Sequence, residues 1–201
     1  VIITNTLKTA TLKNAIGVKK TLVGRDWKDS DEFTFKLKAD DSNPDAPMPA
    51  SCKNQSACPV TVKRDSSDDH VAYFGDITYD AGEAKYTYLV TENAGNASAM
   101  YYSQAEYRMV VSVMKDGTSG EWKAVVESVT QLKTDYGAAG SNWDSTRPML
   151  FTNKYIAASS LPLTGRMGAE RWWQIAAGGV GVLALLAVAA GDRWRRKKRL
   201  G

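Results

Sequence analysis

From Ile16 onward, apolar and polar positions alternate with a period of two. Ile16, Val18, Lys20 and Leu22 share one face, and after the turn-like Gly24-Arg25-Asp26, Phe33, Phe35 and Leu37 share another. Such alternation marks strands with one buried face. It predicts further strands at residues 60–63, around Ile77 and Tyr79, and at 86–92, 107–113, 122–129 and 150–156, with a hairpin turn at 116–120. Residues 40–59 hold Pro44, Pro47, Pro49 and Pro59 and read as a loop, as does the Gly-, Ala- and Ser-rich stretch 130–147. Tyr136 and Trp143 in the second loop are either packed or exposed as ligand contacts. Helical spacing is absent from residues 16–156, so many short strands between turns predict an all-β, β-sandwich fold.

The pattern changes at the C-terminal end. Residues 172–191 form an apolar run with Gln174 as its one clearly polar member, and about 20 such residues in a helix just cross a bilayer core of roughly 30 Å. Trp172, Trp173 and Trp194 stand at its two ends, followed by Arg195, Arg196, Lys197, Lys198 and Arg199, with Arg193 before Trp194. Indole rings favour the membrane boundary and cationic residues stay in the cytoplasm. The expectation is a single C-terminal transmembrane helix with a cytoplasmic tail at 192–201 and everything before it outside the cell.

That topology alters the meaning of the charge. The whole chain carries a formal +4, but eight of its 26 cations and only two of its 22 anions lie beyond Thr164, which leaves the part before that residue near −2. No basic patch for nucleic acid is implied. Cys52 and Cys58 fall in the exported part, where a disulfide can persist. A bridge across so short a loop is worth roughly 2 kcal/mol. As a metal signal the pair is weak, since no His neighbours it. The chain begins without Met or a signal peptide, so it is expected to be the C-terminal piece of a longer precursor. Ile3-Thr4-Asn5 has the shape of Phe151-Thr152-Asn153. Residues 1–14 are therefore read as the closing strand of a preceding domain plus a linker, the alternative being a first strand of this one.

Candidate enzyme chemistry is sparse. His70, beside Asp68 and Asp69, is the one histidine, and no glycine-rich nucleophile turn is present. It is read as a solvated loop residue, and no cofactor or metal is expected. Three polar residues stand out instead because they interrupt apolar faces: Lys20 between Val18 and Leu22, Glu92 continuing the face of Tyr86, Tyr88 and Val90, and Asn153 between Phe151 and Tyr155. Polar groups on such faces are costly if buried without partners.

Two resemblances give these features a function. Leu161, Pro162, Leu163, Thr164 and Gly165, followed by a spacer, the apolar run and the basic stop, closely resemble the LPXTG cell-wall sorting signal of Gram-positive surface proteins. This implies that a sortase cuts Thr164–Gly165 and joins Thr164 to peptidoglycan or to another pilin subunit, after a membrane-held precursor stage. The segments Lys20-Thr21-Leu22-Val23-Gly24-Arg25, Tyr86-Thr87-Tyr88-Leu89-Val90-Thr91-Glu92 and Phe151-Thr152-Asn153 look like the streptococcal pilin isopeptide-linkage domain, an Ig-like β-sandwich related to the collagen-adhesin B-type repeats, over about residues 16–156. That likeness implies an intramolecular amide between Lys20 and Asn153, promoted by Glu92 as the catalytic group, with the adjacent Lys19 as the alternative amine. The expected organisation is 1–14, end of a preceding domain and linker; 15–157, the β-sandwich; and 158–201, the sorting signal with its motif at 161–165. The expected role is a structural stalk on the cell wall rather than an enzyme. The alternative is an adhesin module that binds a host or matrix ligand through loop 40–59 or 130–147.

Overall fold

The computed structural model describes residues 8–157 apart from 54, 67 and 68. The sorting motif, the apolar run and the basic tail expected from the sequence lie outside the described residues. Twelve strands are present among those described: β1 (Thr9–Leu12), β2 (Gly17–Val23), β3 (Glu32–Ala39), β4 (Cys58–Lys63), β5 (Val71–Tyr73), β6 (Ile77–Asp80), β7 (Ala84–Glu92), β8 (Met100–Tyr101), β9 (Glu106–Lys115), β10 (Trp122–Lys133), β11 (Asn142–Trp143) and β12 (Met149–Tyr155). The helical content among them is one short 3-10 turn, Ala50–Cys52.

The strands form a six-stranded sheet in the order β11-β10-β9-β7-β3-β4, a four-stranded sheet in the order β5-β2-β12-β8, and a β1-β6 pair. Alternation decides which side chains go inward. On β3, Phe33, Phe35 and Leu37 are buried while Glu32, Lys36 and Lys38 face out, and on β9, Tyr107, Met109, Val111 and Val113 are buried. The two larger sheets meet through aromatic rings. Phe151 of β12 lies 4.9 Å from Phe35 and 5.3 Å from Tyr107, both on the six-stranded sheet. At the centre of the smaller sheet β2 runs parallel to β12, with Lys20 opposite Phe151 and Leu22 opposite Asn153. The early and late ends of the domain are thus adjacent strands.

The structure departs from the sequence reading in four places. Residues 9–12, expected in a linker, form β1 against β6, with Ala10 and Leu12 buried; four residues, one of them the small Ala10, gave too short an alternation to be seen. β4 starts at Cys58, two residues inside the expected loop. The expected loop 130–147 instead begins inside β10, which runs to Lys133, and contains β11. β10 has irregularities between Val126 and Ser128 and between Gln131 and Lys133, and each shifts the inside-outside alternation by one residue, so the periodic signal fades before the strand ends. The edge strands β5 and β8, three and two residues long, are too short for periodicity to register.

Both long loops are tied down. In the first, Tyr88 Oη donates to Pro47 O at 2.6 Å and Asn43 Oδ1 accepts from Thr87 N at 3.1 Å. Cys52 and Cys58 are disulfide-bonded there, with Cα atoms 5.3 Å apart. In the second, Trp143 packs edge-on against Tyr107 at 5.3 Å, whereas Tyr136 is exposed.

The turn after β2 fixes the two central strands together. Gly24 has φ +92°, and a Cβ there would lie 2.0 Å from the Tyr155 carbonyl oxygen at the end of β12, so only glycine fits. Arg25 then reaches Asp31 with two hydrogen bonds, 2.6 and 2.7 Å, and its guanidinium lies 5.1 Å from the Tyr155 ring centroid. The paired guanidinium, with the Lys28 N–H, holds the Asp31 carboxyl below its ordinary value. A depressed carboxyl contributes stability that is present above the unfolded value of 3.8 and lost as pH falls through the folded value. Asp31→Ala should therefore cost about 1–2 kcal/mol in urea unfolding at neutral pH, after allowance for solvent screening. The difference from wild type should shrink below pH 3.8.

Candidate functional site

The alternation of β2 separates its two adjacent lysines. Lys19 faces outward, with 40% of its side chain exposed and its Nζ 3.3 Å from Asp69 Oδ1, whereas the Lys20 side chain is fully buried. Parallel pairing with β12 puts Lys20 and Asn153 on the same inner face, offset by two residues along the strands. β7 crosses in the opposite sheet, and its last residue, Glu92, sits opposite Phe35 of β3. Three residues from strands far apart in sequence therefore converge between the sheets.

Their side chains touch in sequence. Lys20 Nζ donates to Glu92 Oε2 at 2.6 Å, and Asn153 Nδ2 donates to Glu92 Oε1 at 2.7 Å. The surroundings are aromatic, since Lys20 Nζ lies 4.7 Å from the Phe33 ring centroid and 5.9 Å from that of Phe35. Removal from water penalises both charged forms. Burial lowers the Lys20 ammonium to about 8 against the opposing pull of Glu92, and burial likewise raises the Glu92 carboxyl. Both shifts favour the neutral pair, an uncharged amine beside a carboxylic acid.

A second set of contacts holds the carboxamide. Ser103, between β8 and β9, donates its main-chain N–H to Asn153 Oδ1 at 2.7 Å. Its hydroxyl donates to Asp135 Oδ1 at 2.6 Å and accepts from Ala105 N at 3.0 Å. The same Asp135 oxygen accepts from Thr152 N at 2.9 Å. Sequence reasoning missed Ser103 and Asp135. Each looks like an ordinary loop residue, and the Ser103 contact runs through the main chain, which leaves no side-chain signature.

His70 is not the freely solvated residue expected. Its ring stacks on Trp27 at 4.1 Å and 6°, and its carbonyl accepts from Lys20 N at 2.9 Å. Trp27 in turn packs edge-on against Phe33 at 5.3 Å, so the pair flanks the aromatic wall of the site. The chemistry supported by this cluster is the meeting of an amine, a carboxyl and a carboxamide in a dry, fixed geometry.

A family model described as FctA, a Spy0128-like isopeptide containing domain, matches residues 16–156. Among solved structures the chain is similar to the major pilin from Streptococcus pyogenes, at 17% identity over 75% of this chain and 51% of that one, with a TM-score of 0.37. Two further major pilin proteins of that organism are similar. T-13 is 17% identical, covering 75% and 54% of the two chains at TM-score 0.40, and T3.2 is 18% identical, covering 73% and 54% at TM-score 0.40. The chain spans about half the length of these pilins. No curated protein matches it.

The buried pair makes a prediction about stability. Glu92→Leu leaves the Lys20 amine without its carboxyl partner, whereas the double variant Lys20→Met with Glu92→Leu removes both members of the buried pair. The single variant should be less stable than the double by about 3 kcal/mol in denaturant titration near neutral pH. The deficit should narrow as pH rises toward the ordinary lysine value of 10.5, where the unfolded chain no longer holds the extra proton.

Proposed function

Because the chain belongs to the family of Spy0128-like isopeptide containing domains, we propose that it is a stalk domain of a sortase-anchored surface protein or pilin subunit, closed by a self-formed amide between Lys20 and Asn153. The observation that carries this reading is the contact of both residues with the two oxygens of Glu92, at 2.6 and 2.7 Å, in a fully buried setting. On this reading the two facing sheets are the Ig-like sandwich, and Lys20, not Lys19, supplies the amine.

The reaction follows from the geometry. Neutral Lys20 Nζ adds to Asn153 Cγ, Glu92 passes a proton from Nζ to Nδ2, and the Cγ–Nδ2 bond breaks to release ammonia. Folding supplies the alignment that a bimolecular reaction would lack, which can replace several kcal/mol of barrier. The new bond closes a loop of more than 100 residues. By the loop-entropy relation for cross-links it stabilises by about 5 kcal/mol.

The mechanical consequence depends on the strand directions. β2 and β12 are parallel neighbours, and tension enters β12 from the side of Thr164. An amide between them carries that load covalently across the two strands. In the mature protein Thr164 is joined through its carboxyl to peptidoglycan or to another pilin, after cleavage of the 161–165 motif at Thr164–Gly165. Residues 172–191 and the basic tail 192–201 hold the precursor in the membrane until then. The support for this part is the order of motif, spacer, apolar run and basic stop in the sequence.

Intact-mass measurement of the folded domain should show the loss of one ammonia, and digestion should release a joined peptide containing Lys20 and Asn153. Glu92→Ala should keep the full mass and melt about 10 °C or more lower. A full mass in the wild type would refute the cross-link. In freshly made chain, bond formation should speed up as pH rises toward about 8, where Lys20 loses its proton. Anchoring is tested separately: Thr164→Ala should leave the domain folded and abolish covalent attachment to wall fragments, and persistent attachment after detergent extraction would refute sorting at this motif.

A further inference from the structure

The orientation of the Asn153 carboxamide is fixed by its two partners. A main-chain N–H can only donate, so the group that faces Ser103 N at 2.7 Å must be the carbonyl oxygen Oδ1. The amide nitrogen Nδ2 is then the group that faces Glu92, at 2.7 Å. Glu92 is therefore placed on the attacking and departing nitrogens. The oxygen on which negative charge develops is left to Ser103.

The Ser103 donor is held by more than its own chain. Asp135 Oδ1 accepts from the Ser103 hydroxyl at 2.6 Å and from Thr152 N at 2.9 Å, and Thr152 is the residue next to Asn153 on β12. Asp135 O also accepts from Gln104 N at 3.0 Å. One carboxylate oxygen thus fixes both the segment that carries the donor and the strand that carries the acceptor. Ser103 is 7% exposed and Asn153 fully buried, so water does not compete for Oδ1.

From this juxtaposition we infer that the main-chain N–H of Ser103 is the oxyanion donor of amide formation and that Asp135 is the positioning residue that holds it in place. The inference rests on the cross-link reading above. As the Nζ lone pair of Lys20 adds to Cγ, the carbonyl π pair moves onto Oδ1 beside the Ser103 N–H. The Glu92 carboxyl takes a proton from Nζ at Oε2 and gives one to Nδ2 at Oε1. The Oδ1 pair then returns, the Cγ–Nδ2 bond breaks and ammonia leaves, which balances atoms and charge. A donor fixed before the reaction stabilises the developing charge without reorganisation, and deleting one such donor typically slows a reaction about 10²–10³-fold.

The test follows ammonia loss over time by intact mass in chain made by cell-free translation, with synthesis stopped after a short pulse. Replacing the Ser103 amide nitrogen by oxygen, through incorporation of the matching α-hydroxy acid, removes this N–H and keeps the side chain. It should slow ammonia loss about 10²-fold or more, with the near-UV circular dichroism of the folded domain retained. Asp135→Ala should slow it about 10-fold, on the order of one misplaced hydrogen bond, whereas Asp135→Asn, which keeps an oxygen for both donors, should restore most of the rate. A merely structural role for Asp135 would change melting temperature without this ordering of rates. If the wild type never loses ammonia, the cross-link is refuted and this inference with it. If the wild type reacts and the folded ester chain reacts equally fast, the cross-link stands and the Ser103 donor is refuted. Should the ester chain not fold, a wild-type rate in Asp135→Ala overturns the inference instead.

Discussion

A lysine ammonium and a glutamate carboxylate cannot both remain charged inside an aromatic box without a large desolvation cost. The packing around the centre of this domain follows from how that cost is met. Lys20 and Glu92 are separated by 72 residues, and Glu92 and Asn153 by 61, yet the full set of hydrogen bonds forms only when β2, β7 and β12 are all in place. A register slip of one residue on β2 would bury Lys19 and expose Lys20, leaving Glu92 without its lysine partner. The polar cluster therefore specifies one alignment of the two sheets, where the Val, Phe and Tyr side chains around it would tolerate several.

On the proposed reading, the same desolvation that makes the cluster costly is what prepares it for amide formation. It pushes the amine toward its neutral, nucleophilic form and the carboxyl toward its proton-carrying form, the two states that amide formation needs. The neighbouring contacts extend this logic. Gly24 lets the end of β2 pass close against Tyr155, the Arg25–Asp31 pair fastens the following turn, and the Asp135 oxygen links Ser103 to Thr152. The first two hold the turn after β2 against the end of β12, and the third ties β12 to the segment between β8 and β9. In the proposed stalk, the strand pair that carries the reaction is also the strand pair that carries the load.

Much of this was legible in the sequence because a polar residue in an apolar alternation is a conspicuous exception. Lys20, Glu92 and Asn153 could be singled out that way, whereas the sequence left Lys19 beside Lys20 as an alternative until the structure buried one and exposed the other. Other parts left no such trace. β1 was hidden by its brevity and by Ala10, and the far end of β10 by two irregularities that reverse its alternation. Ser103 meets Asn153 through a main-chain N–H, which every residue but proline has, and Asp135 lies in a turn-rich stretch where aspartate is common for local reasons. His70 read as solvated because its partner, Trp27, comes from a distant loop. Features that depend on side-chain pattern were readable, whereas those that depend on main-chain geometry or on pairing across loops needed the fold.

The central claim is that the first and last strands of the main sheet pair are joined covalently at Lys20 and Asn153. Stretching a single domain by its two ends tests it most directly, because a cross-link at those positions shields everything between them from force. The account predicts that only the short segments outside the bond extend. Release of the enclosed chain of about 130 residues, an added length on the order of 450 Å, would contradict it.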